Sequence, residues 1–247
     1  MGTPYDAPQT RDLKPLGAAQ FPVHADLIMR TVVSLVTALL ASVPATAQAC
    51  SVALALTVDV SGSISPTEYE LQMSGMADAM EDPTISEALV ANNVAITVVQ
   101  WSGAGRHEVS VPWFLINDHD DLSVLTDAIR QTPRAWRHFS TAIGDALDFT
   151  AAQFANAPPC SRHVIDVSGD GFSNEGGSVS DARARTLQQG IVINGLAIEN
   201  NVEGLSVYYG KDVTGGPGSF VLTASSYRDY PRAIRRKLLN EVVKPAS

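Results

Sequence analysis

The sequence predicts a doubly wound, Rossmann-like α/β fold: a mostly parallel six-stranded sheet with one antiparallel edge strand and helices on both faces. Three observations carry that expectation. Short apolar runs of strand length recur along the chain, beginning with Val52–Val58, which is apolar except for Thr57. Near-continuous runs of this kind suit strands covered on both faces. Segments of helical period separate the runs, with no internal repeat and no interior linker, and β–α alternation favours a wound sheet. Finally, Val52–Val58 leads through Asp59, Ser61 and Ser63 into the capping box Ser65-Pro66-Thr67-Glu68, so a strand, an oxygen-rich turn and a helix follow in order.

The elements follow in sequence. A first helix runs from about Pro66 to Met80, with Tyr69, Met73, Met76, Ala77 and Met80 on one face, a stripe that reads as core packing. A short helix covers Ile85–Val90, and Val94–Trp101 is a strand. Trp101-Ser102-Gly103-Ala104-Gly105 has the start of a dinucleotide loop but lacks its third glycine and its helix. It reads instead as a turn into an antiparallel edge strand, His107–Leu115. Asp118–Arg130 is helical, with Leu122, Leu125 and Ile129 inward. A helix from about Ile143 carries Leu147, Ala151 and Phe154 on one face, and His163–Val167 is a strand. Asp181–Gln189 is a helix stopped by Gly190, and Ile191–Ile198 is a strand. A helical turn at Leu205–Tyr209, a strand at Ser219–Thr223 and a closing helix at Tyr227–Val242, with Tyr230, Ile234, Leu238 and Val242 inward, complete the chain.

The 247 residues are 45% hydrophobic and 17% charged, which is a globular balance rather than a disordered one. A net charge of −9 argues against nonspecific nucleic-acid binding. Residues 1–28 are polar and proline-rich, read as disordered or as lying upstream of a true start at Met29. Met29-Arg30, the apolar run Val32–Val43 and the small residues Ala45, Ala47 and Ala49 have the anatomy of a secretory signal over 29–49. The run is short for a membrane span. Residues 50–247 are then one exported domain, periplasmic or extracellular, with no integral span after cleavage. Cys50 directly after Ala49 raises a lipoprotein as the lesser alternative, because Ala47 and Gln48 fit a lipidation site poorly. Cys50 and Cys160 each precede a strand. If those strands are parallel neighbours, a disulfide closes at one sheet edge, as export permits.

Asp59, Ser61 and Ser63 stand at every second position, a hard-oxygen set suited to Mg²⁺ or Mn²⁺ rather than to zinc or copper. Alone, the pattern also fits an ordinary turn capping the next helix. Thr141, before the helix at Ile143, and Asp170, in Ser168-Gly169-Asp170-Gly171, bring further oxygens to strand–helix junctions. Carboxyl ends of parallel strands share one edge, so these groups can converge. With these three elements in order, the chain resembles the von Willebrand factor A-like domains that carry a metal-ion-dependent adhesion site, closest to an exported bacterial branch without an assigned role. Asp59-Val60-Ser61-Gly62-Ser63, Thr141-Ala142-Ile143-Gly144 and Asp170 match its three site loops, and Val98–Ser102 looks like its second strand. The resemblance covers roughly Ser51–Val242. Ile143 departs from it, since many relatives have a second hydroxyl there.

The resemblance implies a bound divalent cation at Asp59, Ser61, Ser63, Thr141 and Asp170, and a protein partner that completes its shell with a carboxylate. Arg134, Arg137 and His138 precede Thr141 and could flank that edge, although a solvated loop is the preferred reading. The competing class is a Mg²⁺-dependent phosphoryl-transfer hydrolase, which needs a second carboxylate two residues after the first; Ser61 stands there. His24, His107, His119, His138 and His163 form no zinc spacing, and no G-x-S-x-G occurs. The expectation is therefore a binding module rather than an enzyme. A metal-independent scaffold is the third class, disfavoured by the complete oxygen set. Asp166 interrupts an apolar strand and calls for a partner that the sequence does not name.

Overall fold

The computed structural model describes residues 50–200 and 202–243. The expectations for 1–28 and 29–49 lie outside the described residues. The elements are β1 (Val52–Asp59), α1 (Pro66–Met80), α2 (Pro83–Ala91), β2 (Ala95–Trp101), β3 (His107–Leu115), α3 (His119–Gln131), α4 (Ile143–Gln153), β4 (Arg162–Gly169), α5 (Val179–Gln188), β5 (Val192–Ile198), α6 (Leu205–Tyr208), β6 (Val221–Ala224) and α7 (Tyr230–Leu238).

The six strands form one sheet in the order β3-β2-β1-β4-β5-β6. All neighbours are parallel except β2 and β3, as expected from the Ser102–Arg106 turn, which is closed by the Ser102 N–H donating to the Arg106 carbonyl at 2.9 Å. The chain winds outward from β1 to β3, then returns to β4 and winds the other way. The carboxyl ends of β1 and β4 therefore flank the switch in winding direction, where loops diverge and leave a crevice.

Alternation along β1 builds both cores. Val52, Leu54, Leu56 and Val58 join the α1, α2, α3 and α7 layer, where Met73, Met76, Met80, Leu125 and Ile234 are buried. Ala55 faces the opposite layer with Ile143, Leu147, Ile165 and Tyr209. The period of two in a strand places successive residues on opposite faces, so the uniformly buried pattern of β1 requires helices on both.

Ser65 caps α1, accepting from the Glu68 N–H while Glu68 reaches back to the Ser65 N–H. The closing segment departs from one continuous helix. A 3₁₀ turn (Tyr227–Asp229) leads into α7, and a wider turn of π pitch (Leu239–Val243) follows it. Pro231 has no N–H to donate and fits only a first helical turn, which sets the start of α7. A second π-pitch turn, Tyr209–Val213, extends α6. The last strand sits slightly later than expected, at Val221–Ala224.

Cys50 and Cys160 are disulfide-bonded, with Cα atoms 4.5 Å apart. The bond follows from β1 and β4 being parallel neighbours, since both cysteines lie at the amino ends of those strands. It also occupies the sulfur that lipid attachment at Cys50 would need. Asp166 meets Lys237 of α7, Nζ to Oδ1 at 2.7 Å, and Lys237 meets Glu241 at 2.7 Å. No helix among the described residues is long and apolar enough to cross a membrane.

Candidate metal site at the carboxyl edge of the sheet

Asp59 is the last residue of β1, and its side chain is fully buried. One oxygen, Oδ1, accepts the Ser61 N–H at 2.7 Å. The other, Oδ2, is buried without any hydrogen-bond partner. Across the crevice, Asp170 follows β4 directly. Ser63 Oγ donates to Asp170 Oδ1 at 2.8 Å, and Ser61 Oγ and Ser63 Oγ lie 3.2 Å apart in hydrogen-bond contact. The three members of the first turn and the distant aspartate are thus linked in one oxygen cluster, with Ser63 at its solvent side.

Thr141 reaches the same edge from the loop before α4. Its N–H donates to Asn174 Oδ1 at 3.0 Å, and its carbonyl accepts from the Asn174 and Glu175 N–H groups at 2.9 and 3.2 Å. Those bonds tie the threonine loop to the loop that follows Asp170. Gly171 leaves the Thr141 hydroxyl facing the Asp170 turn: a Cβ there would lie 3.7 Å from Oγ1. Gly169 is the tightest point. A Cβ at that position would stand 2.7 Å from the Tyr209 hydroxyl and 3.0 Å from Asp59 Oδ2, so glycine lets β4 approach the buried carboxylate.

Electrostatics concentrate at the same place. Burial first, and the Asp170 charge second, push the Asp59 carboxyl up to about 7. Burial likewise raises Asp170, with the Ser63 hydroxyl and then Tyr227 opposing it. Burial and the charges of Asp59 and Asp170 hold the Tyr209 and Tyr227 hydroxyls firmly protonated. Two carboxylates in a desolvated crevice, one with an unpartnered oxygen, call for a cation.

Arg134 is not a solvated loop residue. Its guanidinium donates to the carbonyls of Ile64 at 2.6 Å, Val60 at 3.0 Å and Ser61 at 2.7 Å, so it clamps the backbone of the Asp59–Ser63 turn. The planar fork of five donors suits several acceptors at once. Gln100 fixes the loop that presents it, accepting from the Ala135 N–H at 3.0 Å and donating to the Pro133 carbonyl at 2.9 Å. Arg137 and His138 are exposed. The segment still touches the turn through backbone, the Gly62 N–H donating to the Phe139 carbonyl at 2.8 Å.

Tyr209, Tyr227 and Asn174 escaped the sequence reading. Nothing in their local pattern marks them, because Asn174 depends on the loop after β4 meeting the Thr141 loop, and the tyrosines on the segments after α6 and before α7 reaching the end of β4. The described residues hold no group of three His, Cys, Asp or Glu arranged for a metal. The cluster instead combines two carboxylates with hydroxyls, and such a donor set fits a hard divalent cation.

Among curated proteins, none matches the sequence. Solved structures share its fold. Proximal thread matrix protein 1 from the mussel byssus superposes with a TM-score of 0.62 at 15% identity, over 78% of this chain and 48% of that one. This chain therefore spans about half the length of the mussel protein, for which a further structure has a zinc-occupied MIDAS motif. BatB from Bacteroides thetaiotaomicron gives 0.54 at 17% identity, over 78% of this chain and all of that one. A von Willebrand factor type A protein from Catenulispora acidiphila gives 0.53 at 14%, over 77% and 42%. At these identities the likeness shows the fold, which is von Willebrand factor A-like. A family described as protein of unknown function (DUF1194) matches residues 49–246, and the chain belongs to that family.

Proposed function

We propose that this chain is an exported, metal-dependent protein-binding module, in which Asp59, Ser61, Ser63, Thr141 and Asp170 hold one Mg²⁺ or Mn²⁺. The observation that carries the reading is Asp59 Oδ2, fully buried and unpartnered beside a second carboxylate. The mussel relative's zinc-occupied MIDAS motif supports it by analogy of fold. When bound, the ion would supply positive charge and an open coordination position for a partner's carboxylate. The chain's own residues do the rest. Arg134 holds the Asp59–Ser63 turn in shape, Ser63 joins Asp170 to the Ser61 hydroxyl, and the Asn174 bonds keep Thr141 at the edge. Hydroxyl donors add no charge, so an ion held by two carboxylates would be formally neutral, and a third carboxylate would be taken through the open coordination position. Ser61 stands where a phosphoryl-transfer hydrolase needs its general acid, which favours capture over catalysis. Export rests on the pattern of residues 29–49, and the disulfide suits an oxidising compartment.

The test is capture. The immobilised chain should retain a protein from the envelope of the same cell in Mg²⁺ and release it to a chelator, while Asp59→Ala retains nothing. Retention that persists in chelator, or that is equal for the variant, would assign binding to another surface.

A further inference from the structure

A second charged cluster lies in the interior, away from the oxygen edge. Asp166 is central in β4, paired with Leu56 on one side and Asn194 on the other. Lys237 of α7 and Glu241 in the turn after it cover this position. The three side chains are 2%, 0% and 0% exposed. Lys237 Nζ lies 2.7 Å from both Asp166 Oδ1 and Glu241 Oε1, and the Phe220 ring covers it at 5.2 Å. Asn194 donates to Glu241 Oε1 at 3.0 Å and holds that carboxyl against the lysine. Neither Asp166 oxygen is in hydrogen-bond geometry, and Glu241 Oε2 has no partner.

One ammonium against two buried carboxylates leaves a negative charge without a counter-ion. A desolvated cluster relieves that charge by taking up a proton. Burial raises the Asp166 carboxyl, Lys237 opposes the rise and Glu241 adds to it. A protonated carboxyl, an amine nitrogen 2.7 Å from one of its oxygens and a carboxylate base beside that nitrogen are the parts of an amide condensation.

We propose that Lys237 and Asp166 form an intramolecular isopeptide bond, with Glu241 as the catalytic base. Glu241 takes one proton from the Lys237 ammonium and frees the Nζ lone pair. Nζ attacks Cγ of the protonated Asp166 carboxyl and the C–N bond forms. The C–O bond to the hydroxyl breaks, and the hydroxyl leaves as water with a second proton from Nζ. Glu241 stays protonated, and the product is a neutral secondary amide. No oxidant, activating group or second substrate is needed. Two factors drive the condensation inside the fold. The fold already holds the amine against the carboxyl, Nζ 2.7 Å from Asp166 Oδ1, and a neutral amide replaces two buried charges whose desolvation is costly. The bond would fasten α7 covalently to β4, the strand that leads to Asp170.

Intact-mass spectrometry of the reduced, full-length wild type tests this. The expected mass is lower than that of the sequence by one water molecule. Asp170-Gly171 could lose the same mass as a succinimide, so a tryptic map must distinguish the two. The isopeptide predicts a branched peptide joining the Asp166 and Lys237 segments, with no cleavage after Lys237. Lys237→Arg should restore the full mass, and Glu241→Gln should slow the loss of water after refolding. A wild type of unmodified mass, or a deficit that maps to Asp170-Gly171 and survives Lys237→Arg, overturns the proposal. The wild-type map decides even where a variant fails to fold.

Discussion

Asp59→Asn in the metal-free protein should stabilise the fold at alkaline pH. The native carboxyl has a pKa of about 7 against an ordinary 3.8, so the folded state holds the proton more tightly than the unfolded chain. The linked stability is fully present below pH 4 and is lost as pH rises through 7. A gap of about three pKa units corresponds to on the order of 4 kcal/mol by pH 8, or about 10 °C in Tm for a domain of this size. Asparagine keeps an Oδ1 to accept the Ser61 N–H and carries no charge. Asp166 and Asp170 are also raised; the Asp166 slope cancels in the difference between wild type and variant, which reads Asp59 together with its charge coupling to Asp170. Thermal melts followed by circular dichroism at pH 5 and pH 8, in chelator, supply the four numbers. Wild type should lose several degrees more than Asp59→Asn across that interval. Equal slopes, or a variant less stable at pH 8, would refute the account of Asp59 as an uncompensated buried carboxylate.

Arg134→Ala removes the clamp on three carbonyls and should cost about 2–3 kcal/mol. Amide exchange should accelerate over 60–64; unchanged exchange there would contradict the clamp. Gly169→Ala places a methyl group against Tyr209 and Asp59 and should weaken Mg²⁺ binding about tenfold, or about 1.4 kcal/mol, as read by titration; wild-type affinity would show that the approach is not tight. Reducing the Cys50–Cys160 bond, whose cysteines are 110 residues apart, should lower stability by on the order of 4–5 kcal/mol in the chain-entropy picture. Denaturant titration with and without reductant measures this, and no change would mean the link constrains nothing in the unfolded chain.

What the sequence made legible was local. The capping box at Ser65, the methionine stripe of α1 and the apolar run of β1 encode period and termini in neighbouring residues, and the structure has each of them. The convergence of Asp59, Ser63 and Asp170 was also readable, because parallel winding sends strand ends to one edge. Arg134 was not, since a basic residue in a loop looks solvated until the carbonyls it faces are known. Lys237 was hidden for the reverse reason: it neighbours the apolar stripe Ile234–Leu238, and only the closing of α7 over β4 gives Asp166 its partner. The closing segment divides into three pitches, with Pro231 in the first turn of α7, which periodicity alone does not resolve.

The central claim is that the oxygens at the ends of β1 and β4 bind a divalent cation. Isothermal titration of Mg²⁺ and Mn²⁺ into the correctly folded wild type and Asp59→Ala tests it most directly. The account predicts one site in the wild type, none in Asp59→Ala, and a smaller loss in Ser61→Ala, which removes a neutral donor and no charge. Equal binding by wild type and Asp59→Ala, or no binding by the folded wild type with an acidic partner present, would contradict it.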